Sequence, residues 1–120
     1  MEEDQRAFIL KLFENLDNNK ILFAYGRNAI FSICKSLKIK KGDEILTPAL
    51  DCDSTLTPFT VYDSSIVLYK SNPYTFNVDI DDLENKITKK TKLIHIINHF
   101  GFFQPWNEIM NLKSKYGIPI

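Results

Sequence analysis

Residues 92–98 read Lys92-Leu93-Ile94-His95-Ile96-Ile97-Asn98, and this segment is the strongest indicator of the fold class. Its centre is an apolar run in which His95 is the polar interruption. A strand whose two faces are both covered by helices has such a continuous apolar run, whereas a strand with one solvated face alternates between apolar and polar residues. The segment therefore predicts a buried strand of an α/β fold.

The segments around this strand alternate between helix patterns and strand patterns. Helices are predicted where apolar residues recur at helical spacing or where a capping residue stands, and strands where short apolar runs stand. The predicted helices are residues 4–16, 27–38, 53–60, 79–87 and 106–116, and the predicted strands are residues 21–24, 44–47, 66–69 and 92–98. This alternation predicts an α/β fold with a mostly parallel sheet and flanking helices.

Several single residues refine the predicted helices. Asp79, followed by Asp82, is predicted to cap one helix and to make its first turn acidic. Gly117 is predicted to close the last helix. Pro58 is predicted to interrupt the short helix that contains it, because proline removes a helical hydrogen bond. The helix over 27–38 is predicted to bury a stripe made of Ala29, Ile30, Ile33, Cys34 and Leu37.

Charge and composition give no reason to expect nucleic acid or a membrane as a partner. The chain has 120 residues with 15 basic and 15 acidic side chains, so its formal net charge is zero and favours neither nucleic acid nor an anionic membrane. No apolar run approaches the ~20 residues of a membrane span. The acidic N-terminus lacks the basic start of a secretory signal. We expect a cytoplasmic protein in which Cys34 and Cys52 are free thiols.

Two places are candidates for ligand binding. In Tyr25-Gly26-Arg27-Asn28-Ala29 a glycine separates a predicted strand from a predicted helix, where unpaired N–H groups favour a phosphate. A tight turn without a ligand explains the same local pattern and is the commoner case. Asn98 and His99 follow the strand over 92–98, at an end that often faces a ligand. We assign His99 no catalytic role and expect His95 to be a packed core residue.

Six motifs follow one another in a fixed order. They are Gly26-Arg27-Asn28-Ala29-Ile30, Lys41-Gly42-Asp43-Glu44-Ile45-Leu46-Thr47-Pro48, Asn77-Val78-Asp79, Ile87-Thr88-Lys89-Lys90-Thr91-Lys92-Leu93-Ile94, Phe100-Gly101 and Tyr116-Gly117-Ile118-Pro119. In this order they resemble the front part of the DegT/DnrJ/EryC1/StrS family of aminotransferases, from about Ala24 to Ile120. The resemblance implies an incomplete large domain of the type I (aspartate-aminotransferase-like) fold. Residues 1–120 would be the N-terminal, apparently truncated part of a major domain that depends on pyridoxal 5'-phosphate (PLP).

The resemblance also implies roles for particular residues. Gly26, Arg27 and Asn28 would form the turn that holds the cofactor phosphate, through the amides of Arg27 and Asn28. Cys52 falls where the family usually stacks an aromatic ring on the pyridine. The family's aspartate for the pyridinium nitrogen is expected just past Ile120, and the Schiff-base lysine much later. The 120 residues alone are therefore expected to lack aminotransferase activity.

Our leading hypothesis is a segment of an aminotransferase that acts on keto-sugar nucleotides, in cell-surface polysaccharide or amino-sugar biosynthesis. Its implied partners are a nucleotide-sugar substrate, an amino-acid donor and further copies of itself in a homo-oligomer. One alternative is a truncated, catalytically inactive homologue that serves as a binding partner or is a gene remnant. Another is an unrelated small α/β binding module. Bare sheet edges and apolar faces also predict self-association of the isolated chain.

Overall fold

A three-stranded parallel sheet forms the centre of the chain. In the computed structural model, which describes residues 21–120, the strands are β1 (Glu44–Pro48), β2 (Ser65–Tyr69) and β3 (Thr91–Ile94). Their order is β2-β1-β3, and both neighbours of β1 run parallel to it. The predicted α/β fold with a mostly parallel sheet is confirmed. The helix predicted over 4–16 lies outside the described residues.

Helices alternate with the strands along the sequence, as predicted. The α-helices of the described range are α1 (Gly26–Ser36), α2 (Asp53–Thr60), α3 (Ile80–Asn85) and α4 (Trp106–Tyr116), and a short 3₁₀ helix spans His99–Gly101. Within residues 21–120, none of them combines the length and apolar character that a membrane span requires.

Two core clusters lie on opposite faces of the sheet. The first consists of Cys34, Ile39, Ile45, Phe59 and Leu93. The second consists of Leu46, Tyr69, Val78, Leu83, Ile94, Ile109, Leu112 and Ile118. Neighbouring residues such as Ile45 and Leu46 fall in different clusters because successive side chains of a strand point to opposite faces. Helices α1 and α2 therefore cover one face, and α3 and α4 cover the other.

Helices α1 and α2 both begin at the edge of the sheet where the strands end. Only the short segment 37–43 separates α1 from β1, and the two pack together, so α1 runs back along the strand from that edge. Helix α2 follows β1 directly and begins after Cys52 at the same edge. Ligands of open parallel sheets bind outside the carboxyl ends of the strands. The fold thus places two helix starts where a ligand is expected.

The structure corrects two predicted strands. Residues 21–24 form no strand, because they have no strand partner within residues 21–120, and Ile21 is 80% exposed. The strand predicted over 92–98 is the shorter Thr91–Ile94. His95 still donates its N–H to the Leu46 carbonyl at 2.7 Å, and the chain leaves the sheet after that bond. An apolar segment therefore forms a strand only where a neighbouring strand pairs with it.

Helix α2 continues through Pro58, contrary to the predicted interruption. Pro58 is the sixth residue of the helix. Its missing N–H removes one helical hydrogen bond, the bond to the carbonyl of Ser54. Pro58 and Phe59 are both buried. Their packing offsets the missing bond.

The stripe predicted on α1 is only partly buried. Of its members Cys34 is fully buried, whereas Ile33 is 48% exposed and Ile30 and Leu37 are half-buried. Helix α2 packs against one side of α1, and the side that carries Ile33 has little cover from residues 21–120. Apolar spacing identified the helix but not how much of its stripe is covered.

Asp79 caps α3 as predicted, since its carboxylate accepts the N–H of Asp82 at 3.0 Å. We expect Asp79→Ala to lower the free energy of unfolding by about 1 kcal/mol, the usual cost of losing an N-cap. Asp81→Ala is a matched control, because Asp81 is an exposed acidic residue of the same first turn without a capping bond. Urea denaturation measures both, and equal losses would show that charge rather than capping matters.

Candidate functional site

The N-terminus of α1 presents backbone amides that have no acceptor within residues 21–120. The chain enters the helix through Tyr25, whose backbone is extended (φ −137°, ψ 146°) and whose side chain makes no capping bond within the described residues. The N–H of Asn28 donates to the Tyr25 carbonyl at 3.0 Å. Among residues 21–120, no acceptor contacts the amides of Gly26 and Arg27. Such a helix start, with its partial positive charge, suits an anion.

Gly26 and Arg27 add space and charge at this helix start. A Cβ atom at Gly26 would meet no atom within 4 Å, so the described neighbours leave the region beside the amide open. The guanidinium of Arg27 lies over the ring of Tyr25, with Cζ 4.5 Å from the ring centroid. A guanidinium binds phosphate through planar, paired hydrogen bonds. The start of α1 therefore combines a cation with N–H groups that no residue of the described part of the chain accepts.

Cys52 is the N-cap of α2, and its thiol is exposed. Its Sγ lies 3.0 Å from the hydroxyl of Ser54 and 3.1 Å from that of Thr55. These hydrogen bonds, Ser54 first, lower the pKa of the Cys52 thiol below its ordinary value. Cys34, by contrast, is buried, and burial raises the pKa of its thiol. Both cysteines are free thiols, as predicted.

A buried polar cluster that sequence analysis did not identify lies at the carboxyl edge of β1 and β3. The hydroxyl of Thr47 is 3.0 Å from Oδ2 of Asp51 and 3.1 Å from Nδ1 of His95. The same Oδ2 is 3.6 Å from His95 Nδ1, and the Asp51 side chain is only 3% exposed. Oδ1 of Asp51 accepts the N–H of Cys52 at 2.7 Å. The cluster therefore joins two strands to the start of α2.

His95 is packed, as expected, but it also belongs to this cluster. Its ring lies edge-on to Phe59 of α2 at a centroid distance of 5.6 Å. Burial lowers the pKa of His95 below its usual value, and the nearby Asp51 carboxylate opposes that shift in part. His95 is thus held as a neutral ring at neutral pH. The only sequence signal was a polar residue within an apolar run.

His99 lies among aromatic rings in the loop that follows β3. Its ring centroid is 6.3 Å from that of Phe76 and 6.4 Å from that of Phe100. Its Nε2 atom is buried and has no hydrogen-bond partner among residues 21–120. Phe76 and Phe100 have φ values of 58° and 52°, a region that bulky residues rarely adopt. These contacts give His99 a packing role, and no catalytic role is assigned.

Comparisons with known proteins place most of the chain in one family. The model of the DegT/DnrJ/EryC1/StrS aminotransferase family matches residues 13–120. UDP-2-acetamido-2-deoxy-3-oxo-D-glucuronate aminotransferase of Pseudomonas aeruginosa is 31% identical over 97 residues, which are 81% of this chain and 27% of that relative. GDP-4-keto-6-deoxy-D-mannose 3-dehydratase of Yersinia pseudotuberculosis is 36% identical over 67 residues, 56% of this chain and 17% of that relative.

Solved structures show the same fold. Alanine aminotransferase from Pyrococcus furiosus has 30% identity and a TM-score of 0.68, over 78% of this chain and 25% of that chain. NtdA from Bacillus subtilis, solved with bound cofactor PMP, has 27% identity and a TM-score of 0.72, over 78% and 21% respectively. The sheet and its helices thus match part of the type I fold of PLP-dependent aminotransferases.

The predicted resemblance is confirmed by sequence and by structure. The chain spans about a quarter or less of the length of these relatives, between 17% and 27%. The family model, however, covers almost the whole of this chain. The chain therefore belongs to the DegT/DnrJ/EryC1/StrS aminotransferase family.

Proposed function

We propose that this chain is the N-terminal part of the PLP-binding major domain of an aminotransferase that acts on a keto-sugar nucleotide. The observation that carries the proposal is the start of α1 at the carboxyl edge of a parallel sheet. There the Arg27 guanidinium lies beside amides that have no acceptor among residues 21–120. The name of the Pseudomonas aeruginosa relative supports the substrate class, since that enzyme is named for a UDP-linked oxo sugar.

The residues at this edge fit the phosphate of the cofactor. The N–H groups of Gly26 and Arg27 would donate to its oxygens, and the guanidinium of Arg27 would balance its charge. Asn28 would contribute through its side chain or by releasing its amide from the Tyr25 carbonyl. Cys52 would lie against the ring, with less contact area than an aromatic side chain gives. When bound, PLP supplies the carbonyl group and electron sink that amino transfer needs.

Further partners belong to the same proposal. An amino acid would be the donor and a nucleotide sugar the acceptor, and the working protein would be a cytoplasmic homo-oligomer without nucleic acid or membrane partners. Exposed apolar side chains on α1, including Phe31 at 41% and Ile33 at 48%, support the idea that further protein covers this helix.

Arg27→Ala is expected to weaken PLP binding about five- to tenfold, which corresponds to ~1–1.4 kcal/mol for one partly solvated phosphate contact. The change is measured by absorbance titration of PLP and by competition with inorganic phosphate. Lys35→Ala removes one cation from the last turn of the same helix and is the matched control. Equal weakening by both variants would argue for general electrostatic attraction instead of a site at the helix start.

The proposed reaction is tested on the protein encoded by the complete gene, with the 120-residue chain as a control. We expect transfer of the amino group from glutamate to a keto-sugar nucleotide, detected by mass spectrometry of the sugar product. A product that has lost water without gaining nitrogen would instead favour the chemistry named for the Yersinia pseudotuberculosis relative. No sugar product from the complete protein would favour the inactive homologue.

A further inference from the structure

The cluster of Thr47, Asp51 and His95 has a defined direction of hydrogen bonding. Asp51 accepts bonds from two donors, the hydroxyl of Thr47 through Oδ2 and the N–H of Cys52 through Oδ1. A threonine hydroxyl has one hydrogen to donate. Because that hydrogen is directed to Asp51, the Thr47 oxygen is left as the acceptor for Nδ1 of His95, 3.1 Å away.

The direction of these hydrogen bonds determines which nitrogen of the His95 ring carries the hydrogen. Nδ1 must carry the hydrogen in order to donate to Thr47, and Nε2 of the neutral ring then carries the lone pair. The arrangement runs from the His95 N–H to the Thr47 hydroxyl and on to the Asp51 carboxylate. The N–H of Cys52 meets the same carboxylate from the other side.

We propose that Asp51, Thr47 and His95 act as a positioning unit that fixes the start of α2 and so holds Cys52 in place at the carboxyl edge of the sheet. The unit contacts four elements: His95 follows β3, Thr47 lies in β1, Asp51 lies in the connecting loop and Cys52 caps α2. The step from Cys52 to the cofactor ring rests on the proposed function, whereas the positioning of the thiol does not.

Burial makes the unit sensitive to the loss of any member. Thr47 is fully buried and the Asp51 side chain is 3% exposed, so water replaces a lost donor poorly. Phe59 of α2 packs edge-on against the His95 ring and limits its movement. The hydroxyl of Tyr69 donates to the His95 carbonyl at 2.8 Å and holds its backbone. The ring and the loop are therefore restrained from both sides.

The first test reads the protonated nitrogen of His95 by long-range ¹⁵N–¹H NMR at neutral pH. We expect the Nδ1–H form. In Asp51→Asn the amide oxygen keeps the Cys52 N–H and the amide nitrogen faces Thr47, so the Thr47 hydroxyl must turn and donate to His95. The ring should then change to the Nε2–H form. An Nε2–H ring in the unsubstituted protein, or no change in the variant, would overturn the proposal.

The second test measures how fast iodoacetamide alkylates Cys52, with the site mapped by peptide mass spectrometry. Thr47→Val removes the hydroxyl, so Cys52 should shift from its position at the start of α2. The Cys52 thiolate then loses part of its stabilisation by the hydroxyls of Ser54 and Thr55, and alkylation should slow about threefold or more. Thr47→Ser restores the hydroxyl and should restore the rate. Thr60→Val is the control, since the exposed Thr60 hydroxyl donates to the Thr57 carbonyl and to no other acceptor among residues 21–120.

Asp51→Asn should change the alkylation rate in the opposite direction. The hydrogen bonds from Ser54 and Thr55 lower the pKa of the Cys52 thiol, and the Asp51 charge opposes that lowering in part. Asparagine removes the charge and keeps the Cys52 N–H bond, so alkylation should become faster, by about twofold or more. Slowing by both variants, or no effect of Thr47→Val, would contradict the positioning unit. If Thr47→Val does not fold, the proposal is decided by the alkylation rate of Cys52 in Thr47→Ser and by the tautomer of His95 in Asp51→Asn. Neither readout involves PLP, so failed PLP binding alone would remove only the proposed function.

Discussion

Replacing Gln104 with alanine is expected to lower the free energy of unfolding by about 3 kcal/mol. The residue is 6% exposed and bonds to three backbone groups. Its Oε1 accepts the N–H of Val78 at 2.8 Å, and its Nε2 donates to the carbonyls of Phe76 at 3.2 Å and Ile97 at 2.9 Å. Alanine leaves all three groups without these partners, and each buried unpaired group costs ~1–3 kcal/mol.

Gln104→Met separates hydrogen bonding from packing. Methionine keeps most of the volume and cannot replace the three bonds, so its loss should approach that of Gln104→Ala. Asn107→Ala, on the exposed side of α4, controls for removal of an amide and should change stability by less than about 0.5 kcal/mol. Chemical denaturation measures all three variants. A methionine variant as stable as the unsubstituted protein would show that packing, not hydrogen bonding, makes Gln104 important.

Features with local causes were predictable from the sequence. The cap at Asp79 and the left-handed turn at Gly117, with φ of 66°, depend on residues within one helical turn. The β3 strand was predicted from its apolar run, and the structure buries Leu93 and Ile94 in core clusters on opposite faces of the sheet. Local patterns therefore predicted the number and order of the α-helices and strands in residues 26–120, but not the short 3₁₀ helix His99–Gly101.

Features that depend on distant contacts were not predictable. Thr47 meets His95 across 48 positions of sequence, and Gln104 reaches Val78 across 26. No spacing rule connects such residues before the strands are aligned. The exposed Ile33 is an error of the same kind, because apolar periodicity indicates which face of a helix can be buried but not which neighbour covers it.

The candidate site was found by the order of motifs and not by chemistry visible in any one motif. The four residues at the two helix starts do not indicate a cofactor site when each is taken alone. They are Gly26, Arg27, Asn28 and Cys52. The structure adds that the Asn28 amide bonds to the Tyr25 carbonyl. The amides without an acceptor in the described range are therefore those of Gly26 and Arg27, whereas the resemblance implies those of Arg27 and Asn28. Their role in cofactor binding stays a prediction that phosphate titration tests.

Ile45→Ala is expected to cost about 3–4 kcal/mol, one of the largest losses for a single substitution in this chain. Ile45 lies in the central strand β1 and is fully buried between the sheet and the helices α1 and α2. Alanine removes several buried carbon atoms and leaves a cavity that the surrounding strands cannot close, because both edges of β1 are paired. Urea denaturation of the dilute chain measures the loss.

Ile33→Ala is the matched control, since it makes the same chemical change at a side chain that is 48% exposed. Its cost should stay below about 1 kcal/mol, because less area is removed from contact and alanine is the better helix former. The concentration dependence then tests the predicted self-association. A cost for Ile33→Ala that rises with protein concentration would show that another copy covers α1. An equally large cost for both variants at high dilution would mean that residues of the same chain already bury Ile33, contrary to the exposure described above.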